Sequence, residues 1–185
     1  MNAAELLGQY QTGIRKFRGT NLDRANFQDA NLCQIDLTEA TLTEADFTEA
    51  NLEQAIFDRA TLDLSNLTQS NLTQASLRSA SLQSAMLYKV ALGRAQLQKA
   101  NLNQAILKRG FLREANLSQA KLVAADLSQA NLIDADLTGA DLTQANLAGA
   151  FLQGANLARA SLEDVDLKET VLTGAIMPNG KVFVG

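Results

Sequence analysis

The stretch "ADLTGADLTQANLAG", Ala135 to Gly149, states one motif three times: a small residue, Asp or Asn, Leu, and two variable positions. Its period of five decides the fold, because neither regular element accommodates it. On an α-helix five residues advance about 500°, roughly 140° past a full turn, so the leucines would spread around the cylinder instead of forming a stripe. On a continuous strand side chains alternate faces, and an odd spacing would send each successive leucine to the opposite side. The pattern is satisfied if the chain turns a corner once per repeat. Leucine and the small residue two before it then point inward, the residue between them points outward, and the corner resets the phase. The result is a solenoid.

Outward from this stretch the register holds without insertion from Thr20 to Asn179, which is 160 residues and 32 repeats. Every fifth residue from Leu22 to Met177 is Leu, Phe or Met, and the slot two before it is usually Ala. Such regularity leaves no room for a linker or a second domain. The expected organisation is an N-terminal cap over residues 1–19, a repeat region over 20–179 and a C-terminal capping strand over 180–185.

The tandem units "ANLNQ", "ADLSQ", "ADLTG", "ADLTQ" and "ANLAG" resemble the consensus A(D/N)Lxx of the pentapeptide-repeat family, and the resemblance covers nearly the whole chain. It implies an all-β fold, a right-handed quadrilateral β-helix with four repeats and twenty residues per coil, hence about eight coils. At a strand spacing of roughly 4.8 Å the rod would be on the order of 38 Å long. Its ends would be open sheet edges in need of caps. In "NAAELLGQYQTGIRKF", Asn2 to Phe17, the residues Leu6, Leu7, Tyr10 and Ile14 fall near one helical face. Asn2 is suited to N-cap a short helix, with Glu5 at its third position and Gly13 as its stop. This opening looks like the start of several cyanobacterial members. At the other end "MPNGKVFVG" reads as a turn followed by a short apolar strand, Val182 to Val184, placed to cover the last coil.

Composition bounds the function. A formal charge of −4 argues against general binding of polyanions, and no apolar run is long enough to cross a bilayer. The first residues lack the basic lead and apolar core of a signal peptide, so a cytoplasmic location is expected. There is no histidine, no Gly-rich phosphate loop and a single cysteine, Cys33, which reads as a surface slot and not a nucleophile. No acid and base constellation is recognisable, so no catalytic residue, cofactor or metal site is expected. Carboxylates such as Asp36, Glu39, Glu44, Asp46 and Glu49 read as a solvated charged face. Hexapeptide-repeat acyltransferases also build β-helices, but with a period of six and a histidine.

Charge falls in blocks. Residues 23–63 hold ten acids and two bases, residues 64–125 eight bases and one acid, and residues 126–185 eight acids and three bases. Under a twenty-residue coil Met86 stacks on Ile106, Tyr88 on Lys108, Lys89 on Arg109, Ala91 on Phe111 and Gly93 on Arg113. A column of Asn31, Asn51 and Asn71, suited to amide ladders, changes to Ala91 and Phe111 where the basic belt lies. Exposed apolar side chains ringed by cations are features of interaction sites. The candidate partner-binding residues are therefore Met86, Tyr88, Lys89, Ile106, Lys108, Arg109, Phe111 and Arg113, docking a protein partner with an acidic surface. A smaller outward apolar set, Phe151 and Val171, lies beyond Asn131 on the same face. Inside the coil, oversized Val90 and undersized Gly110 would be axial neighbours of compensating volume.

The expected function is a noncatalytic protein-interaction scaffold or regulator. The alternative, implied by quinolone-resistance members of the family, is regulation of a topoisomerase, DNA gyrase, by DNA mimicry through the acidic faces. Those members resemble acidic rods, dimerising through a terminal helix and in many cases bearing projecting loops. Here the middle of the rod is basic and the register carries no loop. Direct nucleic-acid binding by the belt is not expected, because the acidic blocks on both sides would repel a long polyanion.

Overall fold

The computed structural model describes residues 1–184. Each residue preceding a core leucine pairs in parallel with the residue twenty positions on, from Lys16 with Asp36 through Asn66 with Met86 to Asn156 with Ile176. Four repeats therefore complete one coil, and the chain is a right-handed quadrilateral β-helix with a short helix at its N-terminal end.

The repeat centred on Phe47 shows why the motif has the residues it has. Asp46 N–H donates to Ala25 O in the coil below at 2.9 Å, while Phe47 and Glu49 N–H donate to Asn66 O and Thr68 O in the coil above at 2.7 and 2.9 Å. Ala50 N–H closes the corner onto Phe47 O at 3.0 Å. One donor is left, the N–H of Thr48, and the Asp46 carboxylate accepts it at 2.9 Å. Asp or Asn before leucine thus satisfies the only backbone donor that neither the ladder nor the turn can reach. The same bond recurs at Asn66, Asn116, Asp136 and Asn156.

The second corner residue carries the bend. Glu49 has φ 59°, and residues at this position from Arg24 to Glu169 adopt the same left-handed conformation, as the third residue of a type II turn requires. Glycine fills the slot at Gly139, Gly149, Gly154 and Gly174, but most corners use Gln, Glu, Arg or Ser. Left-handed backbone costs a non-glycine residue on the order of 1 kcal/mol, which the ladder and turn hydrogen bonds of each corner offset.

Leucines and alanines from the four sides fill the axis, nearly all fully buried. Phe27 stacks on Phe47 with ring centroids 5.0 Å apart, and Phe57 meets Phe47 edge-on at 6.0 Å. Ser65 and Ser70 occupy buried small-residue slots, where their hydroxyls donate to Leu62 O and Leu67 O at 2.7 and 2.8 Å. A polar residue is admitted there because its donor is satisfied within its own corner.

Helix α1, Ala3–Gln11, starts at a capping box: Asn2 Oδ1 accepts from Glu5 N–H at 2.9 Å, and the Glu5 carboxylate accepts from Asn2 N–H at 3.0 Å. Leu6 is buried against the first coil and Tyr10 donates its hydroxyl to Cys33 O at 2.8 Å. Ile14, expected on the same helical face, lies beyond the end of α1 and is 45% exposed. At the other end Val182 pairs antiparallel with Ile176, while Leu162, Val165 and Leu167 are only partly buried.

Candidate protein-interaction site

The belt lies where the ladder column runs out of hydrogen-bonding side chains. Met86 and Ile106 are bridged neighbours, as are Ala91 and Phe111 around the next corner. Met86, Ile106 and Phe111 are 47%, 41% and 56% exposed, unlike the apolar residues of the axis. Lys89, Lys108, Arg109 and Arg113 are also exposed, and Tyr88 is half-buried beside them. All eight residues singled out from the sequence therefore stand on the outer surface, on two adjacent sides of two successive coils.

Replacing Asp or Asn by an apolar residue at these positions has a second effect. Met86, Ala91, Ile106 and Phe111 offer no side-chain acceptor, and the backbone N–H groups of Tyr88, Gly93, Lys108 and Arg113 find none among the described residues. Elsewhere a carboxylate one coil below sometimes substitutes, as Asp58 does for Arg78 N–H and Asp63 for Gln83 N–H. In the belt these donors face outward beside cations.

The cations differ in their commitments. Arg18, Arg24, Arg59, Arg78 and Arg94 each have a carboxylate partner, as does Arg113, which lies 3.3 Å from Glu114 and 3.4 Å from Asp134. Lys89, Lys108 and Arg109 have none among the described residues. Arg109 Nε instead donates to the neutral Gln129 Oε1 at 2.7 Å, and its Nη1 to Tyr88 Oη at 3.4 Å. Lys89 Nζ sits 5.3 Å from the centre of the Tyr88 ring. The hydrogen bond from Arg109, with the charge of Lys89, holds the Tyr88 hydroxyl below its ordinary pKa of 10.0. Arg113 is thus largely neutralised, whereas Lys89, Lys108 and Arg109 keep their charge free for an incoming anion.

The fold also joins what the linear reading kept apart. Phe111, Asn131 and Phe151 form one parallel ladder column, so Phe151 is two coils from Phe111 on the same side. Together with Lys89, Arg109, Gln129 and Gly149 the two phenylalanines line an open groove of about 550 Å³. Gln129, Gly149 and Phe151 are absent from the sequence-derived set. The signal that finds them is the twenty-residue spacing applied to two columns at once: 111, 131, 151 on the flat side and 89, 109, 129, 149 at the corner.

No group of three or more His, Cys, Asp or Glu placed to hold a metal ion occurs among the described residues, and none of their helices is long and apolar enough to cross a membrane.

Comparison with known proteins agrees with this architecture. A family profile described as pentapeptide repeats matches residues 20–59, 55–95, 95–134, 112–149 and 135–177. Comparison with curated proteins returns no match. Among solved structures the chain is similar to HetL, a pentapeptide repeat protein involved in heterocyst differentiation regulation from the cyanobacterium Nostoc. The identity is 31% over 99% of this chain and 100% of that one, with a TM-score of 0.43. A trypsin-treated form of QnrB1, a plasmid-mediated fluoroquinolone resistance protein, is 19% identical over 84% of this chain and 81% of its own, with a TM-score of 0.74. Rfr23, a pentapeptide repeat protein from the cyanobacterium Cyanothece 51142, is 24% identical over 90% and 94%, with a TM-score of 0.32. With its repeats matched over most of the chain and its coil built on the same five-residue unit, the protein belongs to the pentapeptide-repeat family.

Proposed function

We propose that the protein is a noncatalytic interaction scaffold that docks the acidic surface of a protein partner through the belt of Met86, Tyr88, Lys89, Ile106, Lys108, Arg109, Phe111 and Arg113. One observation carries the reading: three exposed apolar side chains share two coils with Lys89, Lys108 and Arg109, none of which has a carboxylate partner among the described residues, so that apolar surface and unpaired charge coincide there. Apolar area supplies contact and the free cations supply orientation and association rate.

Charge reversal tests the reading. Lys108→Glu with Arg109→Glu is expected to leave the melting temperature within a few degrees, because exposed substitutions usually change stability by about 0.5 kcal/mol or less. The same change abolishes affinity capture of the physiological partner, most severely at low ionic strength. Glu44→Lys, in the acidic coils, is the control. Capture that survives belt reversal and fails with Glu44→Lys moves the active surface to the acidic coils. In that case a gyrase supercoiling assay with added protein examines DNA mimicry directly.

A further inference from the structure

We infer that the groove between Phe111 and Phe151 is the specificity pocket of the belt, taking one aromatic side chain from an extended partner segment whose neighbouring residues are acidic. The inference rests on the scaffold reading and narrows it to a short linear motif. Three features of the groove set the chemistry of its occupant.

The first is spacing. Phe111 and Phe151 are two ladder steps apart, about 10 Å along the rod. A ring seated midway would lie about 5 Å from each wall, within the range of favourable aromatic pairs. Asn131 stands between them in the ladder, and its side chain is turned back to its own corner, where Oδ1 accepts from Ile133 N–H at 3.2 Å.

The second is the open side. In the corner column Lys89, Arg109, Gln129 and Gly149, the first three carry long side chains and the fourth carries none. Gly149 has φ 67°, the conformation that Gln, Glu and Arg tolerate at equivalent corners, so backbone geometry does not demand glycine. A Cβ there would make ordinary contact, 3.6 Å from Gln129 Cγ. What glycine provides at this corner is an unobstructed approach to Phe151.

The third is charge. Lys89 and Arg109 line the same groove without a carboxylate partner, so an apolar side chain entering between the phenylalanines brings its neighbours within reach of two free cations. An acidic residue next to the aromatic one is complementary and a basic one is repelled. The arrangement follows the usual logic of peptide grooves, in which a pocket selects one side chain and charges select its flanks.

The probe is a fluorescein-labelled peptide, DDFDD, titrated against the full chain by fluorescence anisotropy, with DDADD and KKFKK as comparisons. DDFDD is expected to bind saturably, with DDADD about tenfold weaker or worse, since one apolar side chain in a pocket is worth that much, and KKFKK about tenfold weaker or worse because its lysines are repelled by Lys89 and Arg109. Phe151→Ala and Gly149→Gln, neither of them in the belt set, should each weaken DDFDD about fivefold or more, with the melting temperature unchanged in the first and lowered by only a few degrees in the second, whose corner backbone is left-handed. Gly149→Gln restores the commonest corner residue, so loss of binding without unfolding reports obstruction of the groove. Equal binding of DDFDD and DDADD, no saturation by about 1 mM, or indifference to Gly149→Gln overturns the assignment. So does competition by free phenylpropionate at the same concentration as the peptide, which makes the occupant a small aromatic acid. Failure of the scaffold reading looks different: partner capture is then indifferent to Lys108→Glu and Arg109→Glu. Capture that needs those cations, with peptide binding indifferent to Phe151→Ala, sinks the groove alone.

Discussion

Gly110 shows how tightly a single inward slot is specified. The slot holds alanine in most repeats, and twenty residues earlier it holds Val90, which suggests compensating volumes along the axis. The contacts assign the constraint elsewhere. A Cβ on Gly110 would stand 2.9 Å from Leu107 O and 3.0 Å from Leu112 Cδ1, but 3.6 Å from Val90 Cγ1, an ordinary contact. Gly110 N–H already donates to Leu107 O at 2.8 Å, so this corner is drawn tighter than its neighbours near 3.0 Å. Gly110→Ala is therefore expected to cost about 1 to 2 kcal/mol, because Leu107 O and the Leu112 side chain must give way to the added methyl. Val90→Ala should leave most of that cost in place, with coupling below about 0.5 kcal/mol in a double-mutant cycle read by thermal or denaturant melts. A coupling of 1 kcal/mol or more would return the cause to Val90.

At the scale of elements, the first turn of the coil is fastened to the next, just beyond helix α1, by an ion pair whose carboxylate is buried. Arg18 Nε donates to the Asp36 carboxylate at 2.6 Å, and Thr38 donates to the same group from both its hydroxyl and its backbone N–H, at 2.6 and 3.1 Å. Burial pushes the Asp36 carboxyl up, but the bonds from Thr38 and Arg18 outweigh it and the net direction is downward. A carboxyl depressed in the folded state contributes stability that is present above its unfolded pKa, about 3.9, and is lost as pH falls through the folded value. Melting temperatures from neutral pH down to about pH 2 should show Asp36→Asn below the wild type at neutrality, with the gap closing only under pH 4. A gap that is constant with pH would remove the ion pair from the account. Helix α1 was legible in the sequence because Asn2 and Glu5 have the identities and spacing of a capping box, and the coil was legible because the leucine register never slips. The left-handed corners were not, since Gln, Glu and Arg carry no signature of positive φ. The requirement appears only once the ladder above and below fixes each corner. The groove was legible only in part: the twenty-residue spacing sets Phe151 on the Phe111 face beyond Asn131, but as a separate set, and Gly149 matters only beside Gln129 in the corner column that joins the two.

For the whole molecule, the outward side chains of the coils fall into a few vertical columns, so the surface changes character along the axis by a change of residue within a column. Asn51 Nδ2 donates to Asn31 Oδ1 at 3.1 Å and Asn71 Nδ2 to Asn51 Oδ1 at 3.4 Å, and Gln34, Gln54 and Gln74 are linked in the same way. Both amide runs end as the belt begins, the asparagines giving way to Ala91 and Phe111 and the glutamines to the ion pair of Arg94 and Glu114. The polar columns are bonded internally, whereas the belt leaves apolar surface and cations without carboxylate partners exposed to solvent. The backbone bonds between coils also lie parallel to the long axis, and that orientation governs how the rod resists force. Tension applied through the two termini pulls each coil directly away from its neighbour, so the load falls on one coil's bonds at a time from an end inward. Each release frees twenty residues, up to about 70 Å of extended chain. Single-molecule pulling should accordingly show a staircase of nearly equal low-force steps, the rod paying out like thread from a spool, and a single high-force rupture would contradict it.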